Sequence, residues 1–241
     1  MNYLAVFILI NFLVLVHELG HFIAAKFSGI PIERFSIGFG PILWSFKKGR
    51  TQYCISALPV AGYNLPEVED FDDFYRIPSS RRIVFALGGP FANIILAIVC
   101  LAVLNIITTG FSFYGIFLQP FVQLINITAQ FLSALPALFT SPGQLSGVVG
   151  IVAVGGQFVS AGLSSILQFA VLININIALL NLLPLPPLDG GKILFCLLEK
   201  IHCSLARLRL PVMVAGWVLL LGLLCYVTVI DVCRHVLKIY A

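Results

Sequence analysis

Apolar residues run along this chain in blocks too long and too uniform for a water-soluble fold. Tyr3–Phe27, Ile83–Thr109, Gln157–Leu183 and Pro211–Ile230 are almost unbroken hydrophobic stretches. Each supplies the roughly 20 residues that cross about 30 Å of hydrocarbon at about 1.5 Å per residue. Gly29 and Pro31 end the first, Gly110 the second, and Pro184, Pro186 and Pro187 the third. The connection 32–66 has a different rhythm. Phe35-Ser-Ile-Gly-Phe-Gly-Pro is too rich in breakers for a helix, and Leu43–Phe46 and Gln52–Ala57 flank a turn-like Lys47-Lys48-Gly49-Arg50. That pattern predicts β-hairpins apolar enough to lie against or dip into a membrane. Glu67–Asp73 reads as a solvated acidic linker. Over 113–139, Gln119, Gln123, Asn126 and Gln130 recur at helical spacing between Pro120 and Pro136. They predict an amphipathic helix on the outer surface rather than a crossing. The expected fold is an all-α polytopic membrane protein: four transmembrane helices, a membrane-associated β-hairpin region and an outer amphipathic helix, forming one domain over residues 1–241.

Composition sharpens this picture. Of 241 residues, 60% are hydrophobic and 10% charged, against about 45–50% and about 25% in soluble domains. Between Ile83 and Leu188 there is no Lys, Arg, Asp or Glu. An ordinary cytosolic enzyme, a nucleic-acid binder and a disordered chain are all excluded. The net charge of +4 fits basic loops at a cytoplasmic face, with no nucleic-acid partner expected. The segment Lys26–Arg82 holds eight of the fourteen Lys and Arg residues, and Gly110–Gly150 holds none. By the positive-inside rule the first and third connections are cytoplasmic, and the uncharged one and both termini lie outside. The first stretch lacks a basic n-region and a small-residue cleavage site, so it reads as a retained helix rather than a signal peptide. The six cysteines form no CxxC pair and read as small buried hydrophobes.

The chemistry sits in His17-Glu18-Leu19-Gly20-His21, inside the first apolar stretch. Histidines four apart share one helix face and can bind one zinc ion, and the intervening Glu18 can act as a base toward water. A carboxylate at membrane depth costs roughly 2.5–3.5 kcal/mol even on lenient scales, which argues for function. Counted from Asn2, His17 lies about 22 Å along the helix, near the cytoplasmic side of the hydrocarbon. Zinc needs a third protein ligand, with a fourth place open. Asp189 follows Leu-Pro-Leu-Pro-Pro-Leu and precedes Gly190-Gly191 at the inner end of the third stretch, where the backbone can approach a metal. Glu199, His202 and His235 are the alternatives, each with a solvated reading. Placing Asp189 at the depth of the histidines allows one crossing between the first and third stretches, so 113–139 should not cross. An exposed β edge could hold a substrate extended by strand addition, and Gln52, Tyr53, Cys54, Ile55, Ser56 and Ala57, within the segment Gln52–Tyr63, are the expected edge. The rival class is a non-hydrolytic metal-binding or metal-transporting membrane protein. It leaves unexplained why Glu18 sits beside a ligand and why the stretches are so bare of other polar groups.

HELGH in a first membrane helix, Phe35-Ser-Ile-Gly-Phe-Gly, Gly89-Pro90-Phe91-Ala92-Asn93 and Asn181-Leu-Leu-Pro-Leu-Pro-Pro-Leu-Asp189-Gly-Gly together resemble the site-2 protease family of intramembrane zinc metalloproteases. The closest likeness is to its bacterial branch that cleaves transmembrane anti-sigma factors. The resemblance implies one zinc per chain on His17, His21 and Asp189, Glu18 as catalytic base, and a role for Asn181 in holding substrate backbone. It also implies a single-span membrane-protein substrate and a multi-pass location in the bacterial inner membrane. That branch often carries PDZ domains between its second and third spans. Here Gly110 leads almost directly into the amphipathic segment.

Overall fold

The structure, a computed structural model, describes residues 2–67, 71–136, 147–201, 208–231 and 233. In chain order the elements are α1 (Asn2–Ser28), β1 (Ile32–Lys48), β2 (Thr51–Pro66), α2 (Phe71–Arg76), α3 (Ser79–Thr109), α4 (Phe113–Phe117), α5 (Gln119–Ala134), α6 (Val148–Ser160), α7 (Leu163–Leu182), α8 (Asp189–Ile201) and α9 (Arg209–Asp231). Four of these, α1, α3, α7 and α9, are long and apolar enough to cross a membrane. The described residues fall into two compact units. Those within Asn11–Ile94 and Ile177–Val214 make one, and those within Met1–Ile10, Ile95–Asn176 and Ala215–Ala241 the other.

The first unit carries the sheet and the polar chemistry. α1 ends where Gly29 takes φ 68°. The Ile30 N–H donates back to the Ala25 carbonyl at 2.9 Å, closing the last turn, and Lys26 lies near the negative end of the helix dipole. α1 and α3 meet through residues with little or no side chain. A Cβ at Gly20 would collide with the Gly88 carbonyl, and one at Gly88 would lie 2.5 Å from Ala24 Cβ. Gly20 and Ala24 on one helix thus face Gly88 and Ala92 on the other, the small-xxx-small spacing that lets helix backbones touch in lipid. Where α1 gives way to the sheet, Phe22, Ala25, Ile30, Ile32, Phe35 and Phe85 form a buried cluster.

β1 and β2 turn at Gly49-Arg50, as the sequence predicts, but the ladder is folded. Gly38 and Gly40 have φ of 86° and 88°, bending β1 so that its two halves flank Gln52–Ile55 on either side. Ser45, Phe46 and Lys47 pair with Cys54, Tyr53 and Gln52; Arg34, Phe35, Ser36 and Ile37 pair with Gln52–Ile55 and also with Leu65, Asn64, Tyr63 and Gly62. Ser36 Oγ and Ser56 Oγ share a buried hydrogen bond at 3.0 Å.

In the second unit the expected amphipathic helix is split at Leu118 into α4 and α5, and the end of the segment, 137–139, lies outside the described residues. Ser112 Oγ caps α4 by accepting from the Gly115 N–H at 2.9 Å. At 16 residues α5 extends about 24 Å, short of a crossing. Its polar stripe divides. Gln123 and Asn105 of α3 exchange two side-chain hydrogen bonds, both 3.1 Å, while Phe121, Val122 and Ile125 are exposed. The expected third span also begins later than its apolar run. Gly162, with φ 106°, separates α6 from α7, so Gln157–Ser160 belong to a short apolar helix and the long one starts at Leu163. The last three residues of the expected acidic linker Glu67–Asp73 open the helix α2 (Phe71–Arg76), with Asp73 and Arg76 paired at 2.9 Å.

Gly20→Val and Gly88→Val are each expected to destabilise the folded protein by roughly 1–3 kcal/mol or more, the cost of overfilling a packed contact. Gly222→Ala, where nothing lies within 4 Å of an added Cβ, should cost nothing. Thermal unfolding of the three variants in one detergent checks the contrast.

Candidate metal centre

The α1–α3 contact decides what the histidine face of α1 sees. One residue beyond Gly88 is Gly89, whose Cβ, if it had one, would lie 2.5 Å from His21 Nε2 and 2.6 Å from His17 Nε2. The glycine leaves a seat between the two rings that any side chain would fill. The third member arrives from the other end of the unit. After α7 the prolines turn the chain, and Gly191 packs so tightly on it that a Cβ would lie 2.6 Å from the Leu185 carbonyl. That doubling-back sets Asp189, the first residue of α8, against the histidines.

His17 Nε2 and His21 Nε2 stand 3.2 Å and 3.1 Å from Asp189 Oδ2, and 3.1 Å from each other. All three residues are buried. Ligands around one tetrahedral zinc at about 2.0–2.1 Å are spaced on the order of 3.3 Å, so the donor set fits such an ion in type and spacing. Neighbours hold the ligands. His21 Nδ1 donates to the Phe85 carbonyl at 2.8 Å, which directs Nε2 toward the centre. Lys192 Nζ donates to Asp189 Oδ1 at 2.8 Å, leaving Oδ2 as the oxygen that faces the imidazoles.

Glu18, next in line on α1, is half-buried and outside this triangle. Asn64 Nδ2 donates to its Oε2 at 2.9 Å and to its main-chain oxygen at 2.8 Å. Beside this group is a cavity of about 320 Å³ whose walls include Asn64, Phe85, Pro186, Gly191, Lys192 and Phe195.

The structure brings His17, His21 and Asp189 together, as the sequence predicts, with Glu18 alongside. The expected substrate edge requires correction. Gln52, Tyr53, Cys54 and Ile55 are paired on both sides, to Lys47–Trp44 and to Arg34–Ile37, so their backbone groups are not free for strand addition. Ser56 is buried and pairs with Ile42, and Ala57 continues from this inner strand. Among the described residues Gly62–Leu65 pair only with Ile37–Arg34, so the strand with an open side begins at the last two residues of the predicted segment Gln52–Tyr63 and runs past it. It is also the strand that touches Glu18, through Asn64 Nδ2. Asn181 is half-buried near the end of α7, and its Nδ2 donates to the Ile177 carbonyl at 2.9 Å. Of the alternative ligands, His202 and His235 lie outside the described residues, and Glu199 is committed elsewhere. It accepts from Arg82 at 2.7 Å and from Arg209, with the Tyr75 ring 3.3 Å from the Arg209 guanidinium. Burial pushes the Glu199 carboxyl up, but the two guanidiniums outweigh it and hold it below the usual carboxylate range.

Sequence reasoning missed Asn64, Lys192 and the Phe85 carbonyl. Lys192 carried a signal, three residues after Asp189 on a helix. Asn64 and the Phe85 carbonyl carried none.

Comparison with known proteins gives a concordant result. The sequence model described as "Peptidase family M50" matches residues 5–224. The chain is similar to "Putative zinc metalloprotease all3971" of Nostoc sp., 26% identical over 92% of this chain and 93% of that protein. It is similar to "Putative zinc metalloprotease CPE1693" of Clostridium perfringens, 26% identical over 91% and 95%. It also resembles "Membrane metalloprotease ARASP, chloroplastic" of Arabidopsis thaliana, 24% identical over 88% and 73%. The Nostoc alignment runs over 344 positions while engaging 92% of a 241-residue chain. That relative therefore carries more than a hundred residues with no counterpart here.

Because Glu199 sits between two buried guanidiniums, Glu199→Gln is expected to destabilise the protein by roughly 3 kcal/mol, the cost of breaking a buried pair. The sign with pH follows from the lowered carboxyl. Its contribution is full above the unfolded-state value, and it is lost as pH falls through the folded one. Denaturation of parent and variant from about pH 7 to about pH 3 should show the gap between them closing toward acid.

Proposed function

The chain belongs to peptidase family M50, and from that premise we propose that it is a zinc-dependent intramembrane endopeptidase. It hydrolyses a peptide bond in or near the membrane segment of a single-span protein such as an anti-sigma factor. The observation that carries this reading is the convergence of His17 Nε2, His21 Nε2 and Asp189 Oδ2 to within 3.2 Å of one another, with the two imidazoles beside the seat left by Gly89 and Glu18 adjacent on the same helix. These three residues would hold one zinc ion per chain. When bound, the ion supplies Lewis-acid polarisation of the scissile carbonyl and acidifies the attacking water. Glu18 takes the proton that water loses as its oxygen bonds to the carbonyl carbon. The carbon–nitrogen bond then breaks, and Glu18 returns that proton to the leaving amine. Phe85 and Lys192 keep His21 and Asp189 turned toward the seat throughout.

A peptide bond inside a helix is already hydrogen-bonded and shielded, so the substrate must unwind to be cut. The open side of Gly62–Leu65, against Glu18, suits an added extended segment. Asn181 is assigned to holding substrate backbone, on the strength of the family pattern around it. The location proposed is the bacterial inner membrane, with both termini outside, from the distribution of Lys and Arg.

Glu18→Gln should keep its zinc and lose roughly 10²–10⁴-fold in cleavage of a single-span reporter, whereas Asp189→Ala should lose the metal. Elemental analysis and product mass spectrometry on the same samples check both. Unchanged cleavage by Glu18→Gln would remove Glu18 from the reaction, and full zinc in Asp189→Ala would require another ligand. For orientation, single cysteines replacing Ser112 and Lys200 should be labelled by an impermeant reagent from outside and from the cytoplasm, respectively. Labelling of Ser112→Cys from the cytoplasm would invert the arrangement.

A further inference from the structure

Glu18 must be held in one of many side-chain arrangements to serve as a base. A glutamate has three rotatable torsions and roughly 1.5–2 kcal/mol of rotamer entropy to lose. The ion's ligands do not hold it, and α1 offers its side chain no partner. The restraint comes from β2. Asn64 Nδ2 has two hydrogens, and both of its acceptors belong to one residue: Glu18 Oε2 at 2.9 Å and the Glu18 main-chain oxygen at 2.8 Å. A carbonyl and a carboxylate accept only. The amide must therefore present its NH2 group, and the orientation of Asn64 is fixed by chemistry. Its Oδ1 is buried without a protein partner among the described residues, so no competing bond draws the amide away.

Resting on the protease reading above, we propose that Asn64 is a positioning residue for Glu18. By occupying Oε2 and tying it to the same residue's backbone, Asn64 fixes the carboxylate plane. Oε1 is then the one oxygen left to take and return the proton. The mount is rigid. Asn64 is paired with Phe35 in the ladder, and two residues earlier Gly62 runs close enough to α1 that a Cβ there would lie 3.6 Å from Glu18 Cγ. The carbonyl bond alone would tie strand to helix. The Oε2 bond reaches the reacting group, and it separates positioning from a purely structural contact.

The test uses purified, zinc-loaded full-length protein and a single-span reporter peptide, with kcat and KM resolved. Asn64→Leu removes both donors at similar size. It should lower kcat about 10- to 100-fold, the usual range for a residue that orients an active-site group, with KM within about twofold and zinc content unchanged. Asn64→Gln, which keeps the donor pair, should restore most of kcat. Asn64→Asp keeps the shape but removes the donors; it should lose at least as much as Asn64→Leu, and it decides the matter if the leucine variant does not fold. In a Glu18→Gln background, Asn64→Leu should cause no further loss. Normal kcat in both donor-less variants, or a change confined to KM, overturns the proposal. So does a further kcat loss in the Glu18→Gln background. These failures leave the protease reading standing, because the parent would still cleave and still depend on Glu18. A zinc-loaded parent that cleaves nothing, or whose cleavage ignores Glu18→Gln, overturns the protease reading instead.

Discussion

The backbone contact between α1 and α3 at Gly20 and Gly88 is the constraint on which the polar chemistry depends. In hydrocarbon there is no hydrophobic drive to press helices together, so they approach as closely as their side chains permit. Here the limiting side chains are hydrogens and methyl groups, and the approach is close enough to bring Gly89 over the rings of His17 and His21. The same proximity puts the Phe85 carbonyl within 2.8 Å of His21 Nδ1. Had either glycine carried a larger side chain, the histidines would face a wall of apolar residues and lose their orienting partner together.

A second regularity is that each of the two acids of α8 has specific neighbours rather than a general polar environment. Asp189 divides its two oxygens between Lys192 and the imidazoles. Glu199 divides its own between Arg82 and Arg209. Both carboxylates sit on α8, ten residues apart, and each is matched to cations in a different way. One leaves a face open to an added ion. The other is closed by two guanidiniums and has none to spare. That contrast explains why one acid of α8 fits a metal site and the other does not.

Much of this was legible in the sequence. The long apolar blocks forecast α1, α3, α7 and α9 because crossing a membrane imposes a minimum length and tolerates few charges. His17 and His21 were legible because a four-residue step returns to the same helix face, and Asp189 because prolines and glycines marked a chain reversal beside it. What could not be read depends on contacts between distant segments. The breakers and the turn-like Lys47-Lys48-Gly49-Arg50 in 32–66 announced strands, but not that Gly38 and Gly40 would bend β1 into two pairings. The strand expected at an edge is therefore enclosed, and the open side moves to Gly62–Leu65. The polar stripe of α5 was visible, but its division was not: Gln123 is taken by Asn105 from 18 residues away. The break at Gly162 interrupts an apolar run whose composition does not change. Asn64 sits in a strand where any polar residue would read as ordinary.

The seat beside Gly89 has a consequence for how this centre could be lost over evolutionary time. Most routes to an inactive descendant remove a ligand or the base and leave a visible scar in HELGH or in the loop ending at Asp189. One methyl group at position 89 would act otherwise. It would take the volume between two imidazoles that an ion needs, while every ligand, every orienting partner and the net charge stayed as they are. A descendant altered in that way would keep all the signatures by which such a centre is recognised, and the only trace would be an alanine in a helix where alanine is the least conspicuous residue of all.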